Sequence, residues 1–295
     1  MEYLEIAVPN IDGEAAEAVC ELFNRYGHGG AVMEAAAPAF DRVTVRTVIP
    51  ADDQARREHI EMMLALIGKA LPHGLPAPQF TRIGETDWAT AWREHFQTIR
   101  IGRRFVIKPS WREYTPVEED IVIEIDPGLA FGSGLHPTTR LCLEIFETMD
   151  WAGQELFDVG TGSGILSIAA AKLGARRIRA VDIDEVAVRV AQENFARNGL
   201  ADNPSLVVET AVGSAVDAGG RRWPVVVANI LANILLELMP HLAAATAADG
   251  RLVLSGMILE QEAEVTAAAA AQGLVVVDRR QEEDWVALVV QRKEA

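Results

Sequence analysis

The sequence predicts an α/β protein of two domains: a doubly wound, mostly parallel sheet closed by an antiparallel hairpin, preceded by a small α+β domain. Three observations predict it. From Pro137 onward, short β-rich runs alternate with apolar helical stretches, the pattern of parallel strands joined by crossover helices. Before residue 84 the order is instead β-α-β-β-α-β. The 295 residues, 49% of them hydrophobic, are enough for two cores.

The first domain, residues 1–84, is read element by element. Tyr3 to Val8 alternates apolar and polar, as a half-buried strand does. Asp12 to Tyr26 has a helical apolar period, with Asp12 placed to cap it and Gly27 just past its end. Ala31 to Glu34 and Arg42 to Val48 read as strands. Ala51 to Leu71 reads as a helix stopped by Pro72 and Gly74, and Gln79 to Ile83 as the last strand. This order is that of a ferredoxin-like fold. No clustered histidine, cysteine or paired carboxylate gives the segment chemistry of its own.

A linker region is expected over 85–118. In it Trp88 and Trp92, four apart, share one helix face and are expected to pack the domain junction. Phe105 to Lys108 looks like a strand. The second domain is drawn from 119 to 295, opening with a strand at Ile121 to Ile125. Its further strands are expected at Leu156–Val159, Ile178–Ile183, Leu206–Val212, Val225–Asn229 and Arg251–Ser255. Leu274–Val277 and Trp285–Val290 form the closing hairpin.

Composition excludes several classes. There are 27 Lys and Arg against 43 Asp and Glu, a net charge of −16, which repels phosphates and argues against direct nucleic-acid binding. It would attract a basic partner. Two cysteines, Cys20 and Cys142, make neither a disulfide framework nor a cysteine-based zinc site, so no metal is expected. The N-terminus lacks a basic stretch before an apolar run. The most apolar segment, Val225 to Met239, is broken by Asn229, Asn233 and Glu237, short of the ~18 apolar residues a membrane span needs. A soluble, cytoplasmic monomer is expected.

The chemistry concentrates in the second domain. Asp158-Val159-Gly160-Thr161-Gly162-Ser163-Gly164 follows a strand and opens a helix. Its G-x-G-x-G spacing is shorter than the dinucleotide fingerprint, which suits a ligand without a diphosphate. Asp158 could meet an amino-acid ammonium group. Asp182 ends the next strand, where a carboxylate can accept both ribose hydroxyls. Asp184 reads as the N-cap of a helix over Glu185 to Arg197, with Gly199 as its stop. Together these indicate a nucleoside without a diphosphate, and S-adenosylmethionine fits that description. Asn229 ends an apolar strand at the carboxyl edge of the sheet, either as a ligand contact or as an Asx-turn cap.

A second glycine-rich loop runs from Asp126 to His136, with Phe131 available as an apolar cover for the cofactor. Pro137 fits the first position of the following helix. Thr139 falls in its first turn, where free N–H groups would hold the methionine carboxylate. His136 reads as a capping or packing residue.

The segments DPGLAFGSGLHPTT, FDVGTGSGILSIAA, AVDID and VVVANIL, with the tryptophan-rich stretch before them, resemble the bacterial PrmA methyltransferases, which methylate the large-subunit ribosomal protein L11. The resemblance covers nearly the whole chain. It implies a Rossmann-like class I methyltransferase domain, a linker and an N-terminal ferredoxin-like domain that recognises the ribosomal protein. It also implies cofactor contacts at Thr139, Gly160, Asp182 and Asn229, beside which Asp158, Gly162 and Phe131 complete the candidate set. Ser133 stands where the family often has Thr, and Thr98 where it often has Pro.

Methyl transfer to nitrogen needs a neutral amine, whether a lysine side chain or an N-terminal α-amine. No dedicated base is visible, so Asn229 is expected to orient cofactor or amine rather than move a proton. Two alternatives differ from it in sequence. A methyltransferase for glutamine amides or nucleic-acid amino groups would carry N-P-P-aromatic where this chain has Asn229-Ile230-Leu231. A non-catalytic ribosome-assembly factor would not need the intact glycine and Asp182 set.

Overall fold

The structure is a computed structural model that describes residues 2–27, 31–35, 42–71, 73–84, 97–126, 134, 136–201 and 203–293. The chain divides into two compact units, which among these residues hold 2–84 and 97–293.

In the first unit, strands β1 (Glu2–Ile11), β2 (Val32–Ala35), β3 (Val43–Pro50) and β4 (Gln79–Gly84) form an antiparallel sheet in the order β2-β3-β1-β4. Helices α1 (Gly13–Tyr26) and α2 (Gln54–Ala70) complete the ferredoxin-like pattern. Asp12 caps α1 as expected, its carboxylate accepting the Ala15 N–H at 3.0 Å. The second helix starts three residues later than expected. Asp53 accepts the Arg56 N–H at 3.1 Å, so the capping carboxylate, not Ala51, sets the start. Ile6, Val8, Val19, Phe23, Val45, Ile49 and Ile60 are the centre of this core.

The second unit carries a seven-stranded sheet. Its strands are β8 (Glu155–Val159), β9 (Arg177–Asp182), β10 (Val207–Val212), β11 (Trp223–Asn229), β12 (Thr246–Ile258), β13 (Leu274–Glu282) and β14 (Trp285–Arg292). They lie in the order β10-β9-β8-β11-β12-β14-β13. The first five are parallel, and β14 and β13 are antiparallel. The helices are α3 (Pro137–Glu147), α4 (Ile165–Leu173), α5 (Glu185–Arg197), α6 (Ala232–Ala245) and α7 (Glu262–Ala271). Alternation along β11 shows how both faces are filled. Val225 and Val227 point into the core shared with α3, α4 and α5, while Val226 and Ala228 point into the core shared with α6 and α7.

A three-stranded sheet completes this unit. Strands β5 (Ile99–Ile101) and β6 (Phe105–Lys108) are antiparallel, and β6 runs parallel to β7 (Ile121–Glu124). Residues 99–108, within the stretch read as linker, thus form one sheet with β7, and Ile101, Phe105 and Ile107 are buried in the core that α3 covers. The tight turn between β5 and β6 turns its backbone toward α3, where the Glu147 carboxylate accepts N–H bonds from Arg103, Arg104 and Phe105. Trp88 and Trp92 lie outside the described residues. No helix among the described residues is long and apolar enough to cross a membrane.

Candidate active site

The site forms at the carboxyl ends of β8, β9 and β11, where an open α/β sheet leaves room for ligands. The turn after β8 is drawn tight by backbone: the Gly160 and Thr161 N–H groups both donate to the Val181 carbonyl, at 2.9 and 3.0 Å. Gly160 has φ +75°, and a methyl group on it would lie 2.3 Å from Cγ2 of Ile230. Only glycine fits both that dihedral and that approach.

Asp158 is buried under this turn. Its Oδ2 accepts hydroxyl bonds from Thr161 at 2.8 Å and Ser167 at 2.6 Å, tying the turn to α4. Burial, with a smaller push from Asp182, raises its pKa to about 6, and the two hydroxyls hold it from rising further. Its bonding is therefore to the turn itself.

Asp182 ends β9 and joins two turns. One oxygen accepts the Gly162 N–H at 2.9 Å and the other the Asp184 N–H at 3.0 Å. A carboxylate has about four lone-pair positions, so two remain for a ligand. Asp184 caps α5 as expected, accepting the Val186 N–H at 2.8 Å. Between them Ile183 is 81% exposed, because β9 ends at Asp182 rather than at Ile183 as expected. Sequence reasoning did not single out Ile183 as a candidate. An apolar side chain just past a strand-end carboxylate was the available signal.

Asn229 ends β11. Its Nδ2 donates to Thr139 Oγ1 at 3.4 Å, and its Oδ1 is buried with no hydrogen-bond partner among the described residues. An orphaned buried acceptor costs about 1–3 kcal/mol, and a ligand N–H group would remove that cost. The structure thus brings Asn229 and Thr139 together.

The first turn of α3 corrects one expectation. Its amides do not point outward to an anion. Pro137 has no N–H, Thr138 N–H donates to the His136 ring at 3.3 Å, and Thr139 N–H to the His136 carbonyl at 3.1 Å. His136 supplies this cap and packs edge-on against Trp285, ring centroids 4.5 Å apart. Burial, and then the nearby Arg140, lower its pKa to about 4, so the neutral ring can accept the Thr138 N–H bond. The capping and packing role read from sequence holds. What Thr139 offers the site is its hydroxyl. Phe131 falls outside the described residues, as does most of the loop it belongs to.

Among the described residues no group of histidine, cysteine and carboxylate side chains could hold a metal ion. The strand-end carboxylate and the exposed apolar Ile183 fit a nucleoside, and the orphaned amide oxygen fits an N–H donor beside it. The comparisons agree with this chemistry. A family model for ribosomal protein L11 methyltransferase (PrmA) matches residues 2–293. The Ribosomal protein L11 methyltransferase of Chloroflexus aurantiacus is 43% identical, across 98% of both chains. That of Herpetosiphon aurantiacus is 42% identical, across 97% of this chain and 98% of its own. The crystal structure of ribosomal protein L11 methylase from Lactobacillus delbrueckii subsp. bulgaricus, 35% identical, superposes with a TM-score of 0.62. It covers 68% of this chain and 100% of its own.

Proposed function

The chain belongs to the ribosomal protein L11 methyltransferase (PrmA) family, and from that premise we propose that it methylates amino groups of L11: lysine side chains, the N-terminal α-amine, or both. S-adenosylmethionine supplies a methyl group already activated as a sulfonium.

The residues of the chain do the rest. Asp182 accepts the ribose hydroxyls with its remaining lone pairs while its bonds to Gly162 and Asp184 hold it still. Ile183 gives the base an apolar surface. Gly160 and Gly162 let the backbone approach closely, and Asp158 keeps that turn in place from beneath. Thr139 presents its hydroxyl beside Asn229. Asn229 Oδ1, buried and without a partner among the described residues, is read as accepting an N–H of the substrate amine and aiming its lone pair, which leaves Asp182 and Ile183 to the cofactor. This acceptor is the observation that carries the reading, since it leaves room for a hydrogen-bond donor, which an amine supplies.

The amine must be neutral to react. For a lysine of ordinary pKa ~10.4, that costs about 4–5 kcal/mol at pH 7, and for an α-amine about 1 kcal/mol. Asn229 cannot take the proton, so it leaves to solvent before transfer. Alignment then lowers the barrier, by up to ~7–11 kcal/mol where geometry is good.

Mass spectrometry of L11 incubated with the enzyme and labelled cofactor tests this. Methyl groups on amines, largely lost with Asn229→Ala, are expected. Label on side chains other than amines, or undiminished transfer by that variant, would overturn the proposal.

A further inference from the structure

The first turn of α3 touches four strands of the seven-stranded sheet at their site-facing ends. His136 packs against Trp285 of β14. The Thr138 carbonyl accepts from Ser255 of β12 at 3.4 Å. Thr139 meets Asn229 of β11, also at 3.4 Å. Arg140 reaches β13, donating from Nε to Glu282 Oε2 at 3.0 Å and from Nη2 to Glu282 Oε1.

These ties are unequal. The Thr138 and Thr139 contacts are neutral and at the long limit for a hydrogen bond. The Arg140–Glu282 contact is a two-pronged, charge-assisted fork between half-buried side chains, the strongest class of side-chain hydrogen bond. The fork is also geometrically exacting, because a planar guanidinium fits a carboxylate in one orientation. It gives a directional tie to a turn whose Thr138 and Thr139 are already buried.

We propose that Arg140 and Glu282 are positioning residues for methyl transfer. Neither reaches the amine. The pair orients the turn that carries Thr139, whose hydroxyl accepts from the Asn229 amide at 3.4 Å and so biases the amide's orientation. The proposal rests on the reading that Asn229 orients the amine. Loosening the fork lets that amide rotate, which lowers turnover while leaving the Asp182 side of the site intact.

The test measures kcat, the KM for S-adenosylmethionine and the melting temperature of the full chain. It uses Arg140→Lys, Glu282→Gln, their double variant, and Asn229→Ala as reference. Lysine keeps the charge but lacks the fork, so charge alone does not rescue it. Each single variant is expected to lower kcat about tenfold, in line with the cost of small misplacements, with the cofactor KM changed less than about twofold. The double variant is expected to be no worse than either single one, since the two residues act as one unit. Wild-type kcat in Arg140→Lys, additive losses, or a loss confined to KM or accounted for by unfolding would overturn the positioning role while the Asn229 reading stands. Wild-type kcat in Asn229→Ala would overturn both.

Discussion

Gly160→Ala separates two costs that the structure places on one residue. Its φ of +75° lies in the left-handed region, which costs an alanine roughly 1–2 kcal/mol. The new methyl would also lie 2.3 Å from Ile230 Cγ2, against about 3.5–4.0 Å for an ordinary carbon contact. Ile230 is only partly buried and can give way, so the overpacking cost is set near the low end of the usual range, about 1–2 kcal/mol. The sum is a loss of about 2–4 kcal/mol. Ile230→Ala deletes Cγ2 and so removes the clash but not the backbone strain. In urea unfolding, the double variant should therefore be more stable than the sum of the single losses by about 1–2 kcal/mol, yet still below Ile230→Ala alone. Strict additivity would show that the methyl never meets Ile230. A Gly160→Ala variant as stable as wild type would refute the strain as well.

Other outcomes follow from the same geometry. Asp182→Ala should weaken S-adenosylmethionine binding by about 1–3 kcal/mol, and unchanged affinity by titration calorimetry would remove its assigned role. A chain beginning at Gln97 should fold and bind the cofactor, whereas one beginning at Glu119 loses buried Ile101, Phe105, Val106 and Ile107. At about 1.5–3 kcal/mol each, that approaches the whole stability of a domain, and the shorter chain should show no cooperative melt. The pH dependence has two opposed parts. His136, lowered to about 4, adds stability above its unfolded pKa of ~6.5 that is lost as pH falls toward 4. Asp158, raised to about 6, adds stability below ~3.9 that is lost as pH rises through 6. Asp158→Asn, whose Oδ1 can accept both hydroxyls, should therefore match wild type below pH 4 and exceed it by on the order of 2–3 kcal/mol at pH 7. A stability difference independent of pH would contradict this.

Features decided within a few residues were legible in the sequence. Asp12 and Asp184 cap their helices because capping is local chemistry. The strand ends that carry Asp182 and Asn229 were legible because an apolar run stopping at a polar residue marks the edge of a buried sheet. Strand β5 was not, since three residues are too few to show a period and its pairing to β6 is set by the turn at Gly102. The direction of the Asp158 carboxylate depends on Thr161 and Ser167 crossing beneath the turn, a matter of burial rather than spacing. Arg140 and Glu282 lie 142 residues apart, and the packing of α3 against the end of β13 brings them together.

The turn at Arg103 to Phe105 has a further consequence. Successive N–H groups aimed at one point make a receptor for any small anion, phosphate included. Here the receptor is filled by Glu147, whose carboxylate draws N–H bonds of 3.0, 2.6 and 3.3 Å from Arg103, Arg104 and Phe105. Glu147 is the last residue of α3, where the helix dipole disfavours a negative charge, so the amides and the carboxylate each answer a deficit in the other. A tethered carboxylate is always at hand and does not dissociate into solution. Inorganic phosphate or another small anion would have to displace it to bind there, and the turn is thereby closed to them.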